Sequence, residues 1–525
     1  MSVLNLLRNL PPFLKIMEEK EDWFKIKKYP HIGRPVKNKD YNRVKRYVDN
    51  PDKVRTHSFL PFIHKTILKR RFRADVNNLK ENPSGKRHRI KDKPKERQIF
   101  FASHLDAMIF SKYNNILIDA YEKFIEDKPF NESIVAYRKI PVIKGEKGNR
   151  CNIDFTKTAF EYIKSNQDRK LTVIVADITS FFDNLNHKIL KMKWTEVLPE
   201  TTLPPDHYNL YKSLTRIKYV ESNQLFDAYN QTVYVERGVP NSSSKRERIK
   251  RKINNPKYFK EKNVVSYCEK EDFVKHNLNL IKSKNNTTGI PQGSPISATL
   301  ANIYMLDFDK VVFKKIESIN GFYQRYSDDL IIVCERQDED DIIKLIRDTI
   351  SGEFAKLTIE PKKTKLYHFE MVYGLFKGFA VNEKTKELNN NKPLEYLGFS
   401  FDGQRVLIKN AGFSKFYRSM KSAFNRAVSY AKHSKNPDKS LFKSRLYKRF
   451  TYKGAKRKLI YRPSKNDPKV YKPSREYNWG NYLTYVFKAD EAMKTINENS
   501  AIKKQSRNVW GEFHRLMKIH ELKLK

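Results

Sequence analysis

Between Gly321 and Cys334 two short apolar runs flank a pair of adjacent acids, with Phe322 and Tyr323 before Asp328 and Asp329 and Leu330, Ile331, Ile332 and Val333 after them. That alternation predicts a β-hairpin with carboxylates at its tip. From Leu171 to Ala176 the chain is unbroken in apolar or β-branched residues, which predicts a buried strand, and the run closes on one acid, Asp177. Gly289 to Ser297 reads as a Gly- and Pro-bearing loop that leads into an apolar helical stretch from Ala298 to Phe308. Leu105, Met108, Ile109, Tyr113, Ile116 and Leu117 recur at helical spacing and predict a helix between Phe100 and Phe130. Beyond residue 405 the pattern is helical and basic, and Trp479 to Leu524 reads as two or three helices.

Adjacent carboxylates repel, and keeping both ionised at a folded site costs free energy unless a cation sits between them or solvent screens them. A divalent metal is one remedy; plain turn chemistry, which favours Asp, is the competing reading of the Asp-Asp pair. Asp177 favours the metal, because a buried strand that ends in an acid needs a use for it. Asp183, a few residues on, reads as a surface or capping acid outside that site.

Composition narrows the partner. Lys and Arg number 105 against 60 acids, a formal charge of +45, and such an excess attracts polyanions at long range, which makes nucleic acid the expected partner. No apolar run is long enough to span a bilayer, and Arg8, Pro11, Pro12 and Lys15 break up the first segment, so neither a membrane association nor a signal peptide is expected. Cys151, Cys268 and Cys334 are too widely spaced for a zinc knuckle or a disulfide framework, which fits a reducing cytoplasm. Two stretches interleave aromatic residues and cations, Trp23 to Tyr29 and Lys65 to Arg73; phosphate binding with aromatic contacts and solvated helix faces both remain open for them. Ser84 to Lys95 is polar and expected to be a mobile loop. The segment Asn241 to Lys252 is polar and cationic with no apolar face, so either a flexible basic arm that orders on RNA or an unstructured surface loop is expected.

The motifs, taken in order, resemble those of the reverse transcriptase family. Asp177 stands where the first palm motif has its acid, Pro291-Gln292-Gly293-Ser294-Pro295 matches the family's loop, and Tyr326-Ser327-Asp328-Asp329 matches its Tyr-x-Asp-Asp turn. Leu357 to Lys365 looks like the next motif, Leu394 to Phe401 like the primer grip, and Lys93 to Ile99 and Val135 to Lys139 like two fingers motifs. The resemblance implies an α+β right-hand polymerase with fingers, a palm built on an antiparallel sheet backed by helices, and a helical, thumb-like C-terminal region. The corresponding expectation is a basic helical extension over 1–90, fingers over 91–170, a palm over 171–405 with a long basic insertion at about 199–284, and the thumb-like region over 406–525. It also implies RNA-directed DNA synthesis with two Mg2+ ions held by Asp177, Asp328, Asp329 and the carbonyl of Ile178. Phe182 would lie under the sugar and exclude a 2′-hydroxyl, with Phe181 in the core. Gln292 and Gly293 would line the nucleotide pocket, and Arg97, with Lys93, would meet the triphosphate. Lys363 would assist the leaving pyrophosphate, Leu397 and Gly398 would hold the primer end, and Lys245, Arg246, Arg248, Lys250, Arg251 and Lys252 would contact nucleic acid.

Other readings are a polymerase-shaped RNA-binding protein without catalysis, which the intact acids oppose, and an RNA-directed RNA polymerase, for which Gly-Asp-Asp and a polar residue at Phe182 are expected. Within the family, a retron's Val-Thr-Gly motif is missing, and the intact Pro-Gln-Gly argues against a diversity-generating enzyme. Maturase and Cys-rich endonuclease motifs are not evident, so a group II intron enzyme is the alternative, and the long tail looks more like bacterial antiphage reverse transcriptases. The partners then implied are a noncoding RNA template, a DNA product and deoxynucleoside triphosphates, with a homo-oligomer allowed. Tyr471, Tyr477, Tyr482 and Tyr485 offer hydroxyls for protein priming, although Tyr482 and Tyr485 share a helical face with Trp479 and are expected to pack in the core.

Overall fold

The computed structural model describes residues 20–74, 89–143, 148–238, 246–360, 364–382, 385–434, 440–456, 458–464, 467, 470–478 and 480–524. Lys245, Lys363 and Trp479 therefore lie outside the described residues, as do residues 84–88 of the stretch expected to be a mobile loop; its remainder, Arg89 to Lys95, is instead strand, held by its antiparallel pairing with Lys69 to Ala74. Contacts divide the chain into two units interleaved in sequence, one of residues 1–131, 179–309 and 350–357 and the other of 132–178, 310–349 and 358–525.

The second unit is built on a six-stranded, wholly antiparallel sheet. Its order is Leu388–Asn389, Leu375–Val381, Lys365–Val372, Leu171–Asp177, Asp329–Glu335 and Phe322–Tyr326. The central strand Leu171–Asp177 and its neighbour Asp329–Glu335 are covered on both faces, which is why they read as continuous apolar runs rather than alternating ones. Leu171, Val173, Ile331 and Val333 join Phe160 and Phe401 in one core cluster, while Ile174 and Ala176 face the other way, toward Ile343 and Ile346. Thr172, the one polar residue of the buried strand, is satisfied by donating to Glu339 Oε2 at 2.9 Å.

After this sheet come a small one, Leu394–Tyr396, Phe399–Phe401 and Val406–Ile408, and the helices Asn410–Lys432, Lys443–Phe450, Tyr482–Ala492 and Val509–Leu522. Phe413, Phe424, Val486 and Phe513 of those helices belong to the same core as the central strands. One departure from the helical expectation is a hairpin, Lys458–Pro463 with Tyr471–Asn478. Pro463 and Pro473 forbid helix there, and in a two-stranded ribbon every strand is an edge, where Pro is tolerated. Tyr482 and Tyr485 are half-buried and stacked at 6.1 Å, as expected for core packing, and burial pushes the Tyr482 phenol up to about 12.

In the first unit a four-stranded sheet runs Arg89–Phe101, Phe62–Ala74, Ile217–Glu221, Lys282–Lys284. Only Phe62 to His64 pair with the third strand, so the rest of the first two forms a free antiparallel ribbon. The helix predicted after Phe100 spans His104–Ile125, capped by Ser103, whose hydroxyl accepts from Asp106 N at 3.3 Å. Met108, Ile109, Tyr113 and Leu117 are buried as the periodicity required, but Ile116 is exposed.

The described part of the basic segment of the insertion, from Arg246 on, is strand, against both expectations for it. Arg246–Arg251 is a strand paired with Val233–Gly238, which also pairs with Val264–Ser266. It buries little itself, but it gains a backbone ladder on a sheet whose core is Val233, Val235, Phe226, Tyr267 and Phe273. Arg248 lies 3.8 Å from the centre of the Tyr234 ring and donates to Glu269 Oε1 at 2.6 Å and to Ser266 Oγ at 2.8 Å.

His31 joins that small sheet to the ribbon. Its Nδ1 accepts from Ile32 N at 2.8 Å, which leaves the proton on Nε2 to donate to Phe101 O at 3.0 Å. Burial favours this neutral form and lowers the pKa to about 4. A histidine held below its unfolded value contributes stability that is full above pH 6.5 and is lost as pH falls toward 4. Unfolding of the first unit is therefore expected to become easier by about 1.4 kcal/mol per pH unit below 6.5 from this residue. Hydrogen exchange of Ile32 and Ser266 amides in the wild type and His31→Gln, measured from pH 7 to 4.5, checks it: the variant is expected to lack that part of the slope.

Candidate active site

Three acids meet at one end of the central strands. Asp177 and Asp329 are direct cross-strand partners in the antiparallel register, so their side chains leave the same face of the sheet. They extend the rows Leu171, Val173, Val175 and Glu335, Val333, Ile331. Asp328 lies in the two-residue turn with Ser327, which takes φ 63°, between the paired residues Tyr326 and Asp329. Backbone bonds hold both strand ends: Ile178 N donates to Asp328 O at 3.0 Å, and Glu360 N donates to Asp177 O at 2.8 Å. Ile178 itself is buried.

Sequence reasoning passed over the residues that brace this turn. Arg325 is fully buried, donates to Ser327 O at 3.1 Å, and offers its own carbonyl to Val135 N at 3.1 Å. The available signal was an arginine inside an otherwise apolar strand pattern. Tyr396 donates to Gln324 Oε1 at 3.1 Å, which ties the small sheet to the hairpin. Burial, reinforced by the negative charge of Asp329, holds both Tyr396 and Tyr326 above the ordinary phenol range, so both stay neutral beside the acids.

The donors suit a hard divalent cation: carboxylate oxygens, converging by backbone register. Among the described residues no three Asp, Glu, His or Cys side chains form a finished ligand set. Magnesium does not require one, since it keeps several waters and takes one or two carboxylates together with substrate phosphates. The residues therefore fit such an ion in donor type, with Asp177 and Asp329 on directly opposed positions.

In the first unit the remaining nucleotide-site candidates form a second group. Phe181–Asn184 is a helical turn in which Phe181 is buried, as expected, and Phe182 half-buried. Asp183 is exposed. Phe182 O accepts from Ile290 N at 2.8 Å, and Gln292 O accepts from Phe100 N at 3.0 Å, so the Pro-Gln-Gly loop is tied to both the Phe182 turn and the long ribbon. Gly289, at φ +93°, and Gly293, at φ +111°, make this possible: a Cβ at Gly289 would lie 2.7 Å from Asp183 O, and one at Gly293 3.1 Å from Phe100 O. Arg97 and Lys93 are exposed on the ribbon, with Arg97 opposite Ile67.

The Leu397-Gly398 turn is a two-residue hairpin with both φ positive, +40° and +95°. Asn152 Nδ2 donates to Leu397 O at 3.1 Å and to the Tyr485 hydroxyl, also at 3.1 Å, and Lys409 N donates to Gly398 O. Of the proposed nucleic-acid cations, Arg246, Lys250, Arg251 and Lys252 are exposed. Arg248 is instead a structural cation, held by Tyr234, Glu269 and Ser266.

A family model described as "Reverse transcriptase (RNA-dependent DNA polymerase)" matches residues 247–401, which hold the Pro-Gln-Gly loop, the Asp-Asp turn and the primer-grip-like turn. This chain carries a reverse transcriptase domain. The matched segment is thus similar to an RNA-dependent DNA polymerase domain, and the mixed helix and sheet content agrees with the α+β class. No curated protein matches the sequence. Similar solved structures include telomerase from Candida albicans with a fragment of telomeric RNA, at TM-score 0.35 and 12% identity over 92% of this chain and 62% of that one. Apo telomerase from Candida tropicalis, truncated from the C-terminal domain, gives TM-score 0.30 and 14% identity over 63% of this chain and 57% of that one. This chain thus spans about three fifths of the length of those telomerases. Among the described residues no helix is long and apolar enough to cross a membrane.

The glycines give a test of the loop geometry. Gly398→Ala adds a Cβ into open space and pays only for its positive φ, about 1 kcal/mol. Gly289→Ala has the same backbone strain and a clash with a backbone carbonyl, so it is expected to cost more. Thermal melting with limited proteolysis of the two full-length variants checks the order.

Proposed function

We propose that the protein is an RNA-directed DNA polymerase whose nucleotidyl transfer is organised by Asp177, Asp328 and Asp329. The observation that carries this reading is the register that sets Asp177 opposite Asp329, with Asp328 in the adjoining turn. Two magnesium ions bound there would activate the primer hydroxyl and neutralise charge on the phosphate oxygens. The carbonyl of Ile178 would complete the nucleotide-side ligands. Phe182 would stand beneath the sugar and exclude a 2′-hydroxyl. Gln292 and Gly293 would bring backbone close to the nucleotide, and Arg97 would offer its planar fork to the triphosphate, with Lys363 beside the leaving group. Leu397 and Gly398 would support the primer end. Fingers, palm with its insertion, and thumb-like tail would follow the boundaries given above, except that Phe62–Ala74, expected in a helical extension, is a strand paired with Arg89–Phe101 and would belong with the fingers.

Two variants test the chemistry. Asp328→Asn and Asp329→Asn, separately and together, are expected to abolish deoxynucleotide incorporation on an RNA template with a DNA primer in magnesium, while melting temperature holds or rises because like charges directly opposite destabilise a sheet. Incorporation by the double variant would reject the assignment. Phe182→Val is expected to raise the ratio of kcat/KM for ribonucleotides over deoxynucleotides by at least ten-fold; an unchanged ratio would place the sugar gate elsewhere.

The biological setting we infer is bacterial antiphage defence in the cytoplasm, with a noncoding RNA as template. It is supported by the resemblance, the motifs missing from the other groups, and the formal charge of +45. Sequencing the RNA and DNA that copurify with the protein tests it: one dominant noncoding RNA and DNA complementary to it are expected, and intron RNA would favour the maturase alternative.

A further inference from the structure

Between Asp402 and Asp467 the sequence holds a single acid, Asp438. The helices Asn410–Lys432 and Lys443–Phe450 in this stretch enclose a groove of about 370 Å³, within the range that accepts small ligands. Its floor is small and apolar, Ala423, Ala427 and Ala431 at four-residue spacing. Arg426, Arg445 and Arg449 line it, and none of the lining residues is acidic. Tyr430 and Phe442, also in the lining, are 73% and 72% exposed, although neither the fold nor the candidate active site uses either ring. Two open rings on one groove form a contiguous exposed patch, the kind of surface that marks an interaction site.

The composition selects the ligand. Arginines without acid partners suit phosphate oxygens, and flat exposed rings suit the faces of unpaired bases, which a duplex keeps stacked inside. An acidic peptide would use the cations and leave the rings idle. Where Lys443–Phe450 ends, a second hollow continues the same chemistry, with Tyr452 and Trp510 at 4.8 Å ring separation and Lys503, Lys504 and Arg507 beside them. We propose that the C-terminal helices bind single-stranded nucleic acid, with bases stacked on Tyr430 and Phe442 and phosphates on Arg426, Arg445 and Arg449.

This is separate from the polymerase reading, and the test keeps the two apart. Full-length protein without nucleotides is mixed with fluorescein-labelled oligouridine carrying 5-iodouridine, irradiated, and digested for mass spectrometry. Crosslinks are expected on peptides that contain Tyr430 or Phe442, equally in Asp328→Asn protein. In anisotropy titrations, Tyr430→Ala with Phe442→Ala is expected to weaken binding by about ten-fold or more without altering the salt slope or the melting temperature. Arg426→Gln with Arg445→Gln and Arg449→Gln is expected to flatten the slope of log K against log salt by about 2. Absence of crosslinks in this region, equal affinity for an abasic oligomer or a duplex, or equal competition by polyglutamate would each overturn the proposal. Loss of incorporation with these results intact would fault the polymerase reading alone.

Discussion

Two carboxylates on directly opposed positions of an antiparallel pair are a standing cost to the sheet, and the second unit is arranged to bear it. Asp177 and Asp329 oppose each other at the last step of a seven-pair register whose other pairs are mostly apolar. A slip of one residue would send the acids to opposite faces and exchange the two buried rows of the slipped strand, so that neither meets the neighbours it packs against. Burial on two faces makes that slip prohibitive. The bonds from Ile178 N to Asp328 O and from Glu360 N to Asp177 O then fix the ends at which the charges sit. The repulsion is thus opposed by packing elsewhere in the strands, while at the acids themselves it remains available to a cation.

The parts of this arrangement that rest on local pattern were legible in the sequence. Leu171–Asp177 and the hairpin around Asp328 follow from an unbroken apolar run and from a turn between two such runs. The helix after Phe100 follows from its periodicity and a serine cap. What could not be read depends on partners distant in the chain. Arg246–Arg251 has no apolar face of its own and is a strand because Val233–Gly238 supplies its ladder and Glu269 receives Arg248. Arg325 is fully buried and donates to Ser327 O of its own hairpin, a partner that no local pattern announces. Ile116 fitted the periodic pattern, but no neighbouring element covers it.

Pairing with acids divides the many cations of this chain by what they can do. With 60 acids for 105 lysines and arginines, a surplus of 45 cations has no acid to match it one for one, and the distribution of acids decides which are committed to the fold. Arg248, Lys193 and Arg169 sit against Glu269, Asp307 and Glu335 and are spent on structure. Arg426, Arg445 and Arg449 fall in the stretch where the sequence places almost no acids. An uncompensated cluster of cations self-repels and weakens the fold that carries it. Here it lies on two helices whose inner faces, through Phe416, Met420, Phe424, Leu446 and Phe450, are anchored in the core shared with Leu171–Asp177 and Asp329–Glu335. Packing again bears an electrostatic cost, with the sign reversed: at the sheet end it holds anions together for a cation, and on the C-terminal helices it holds cations together for a polyanion.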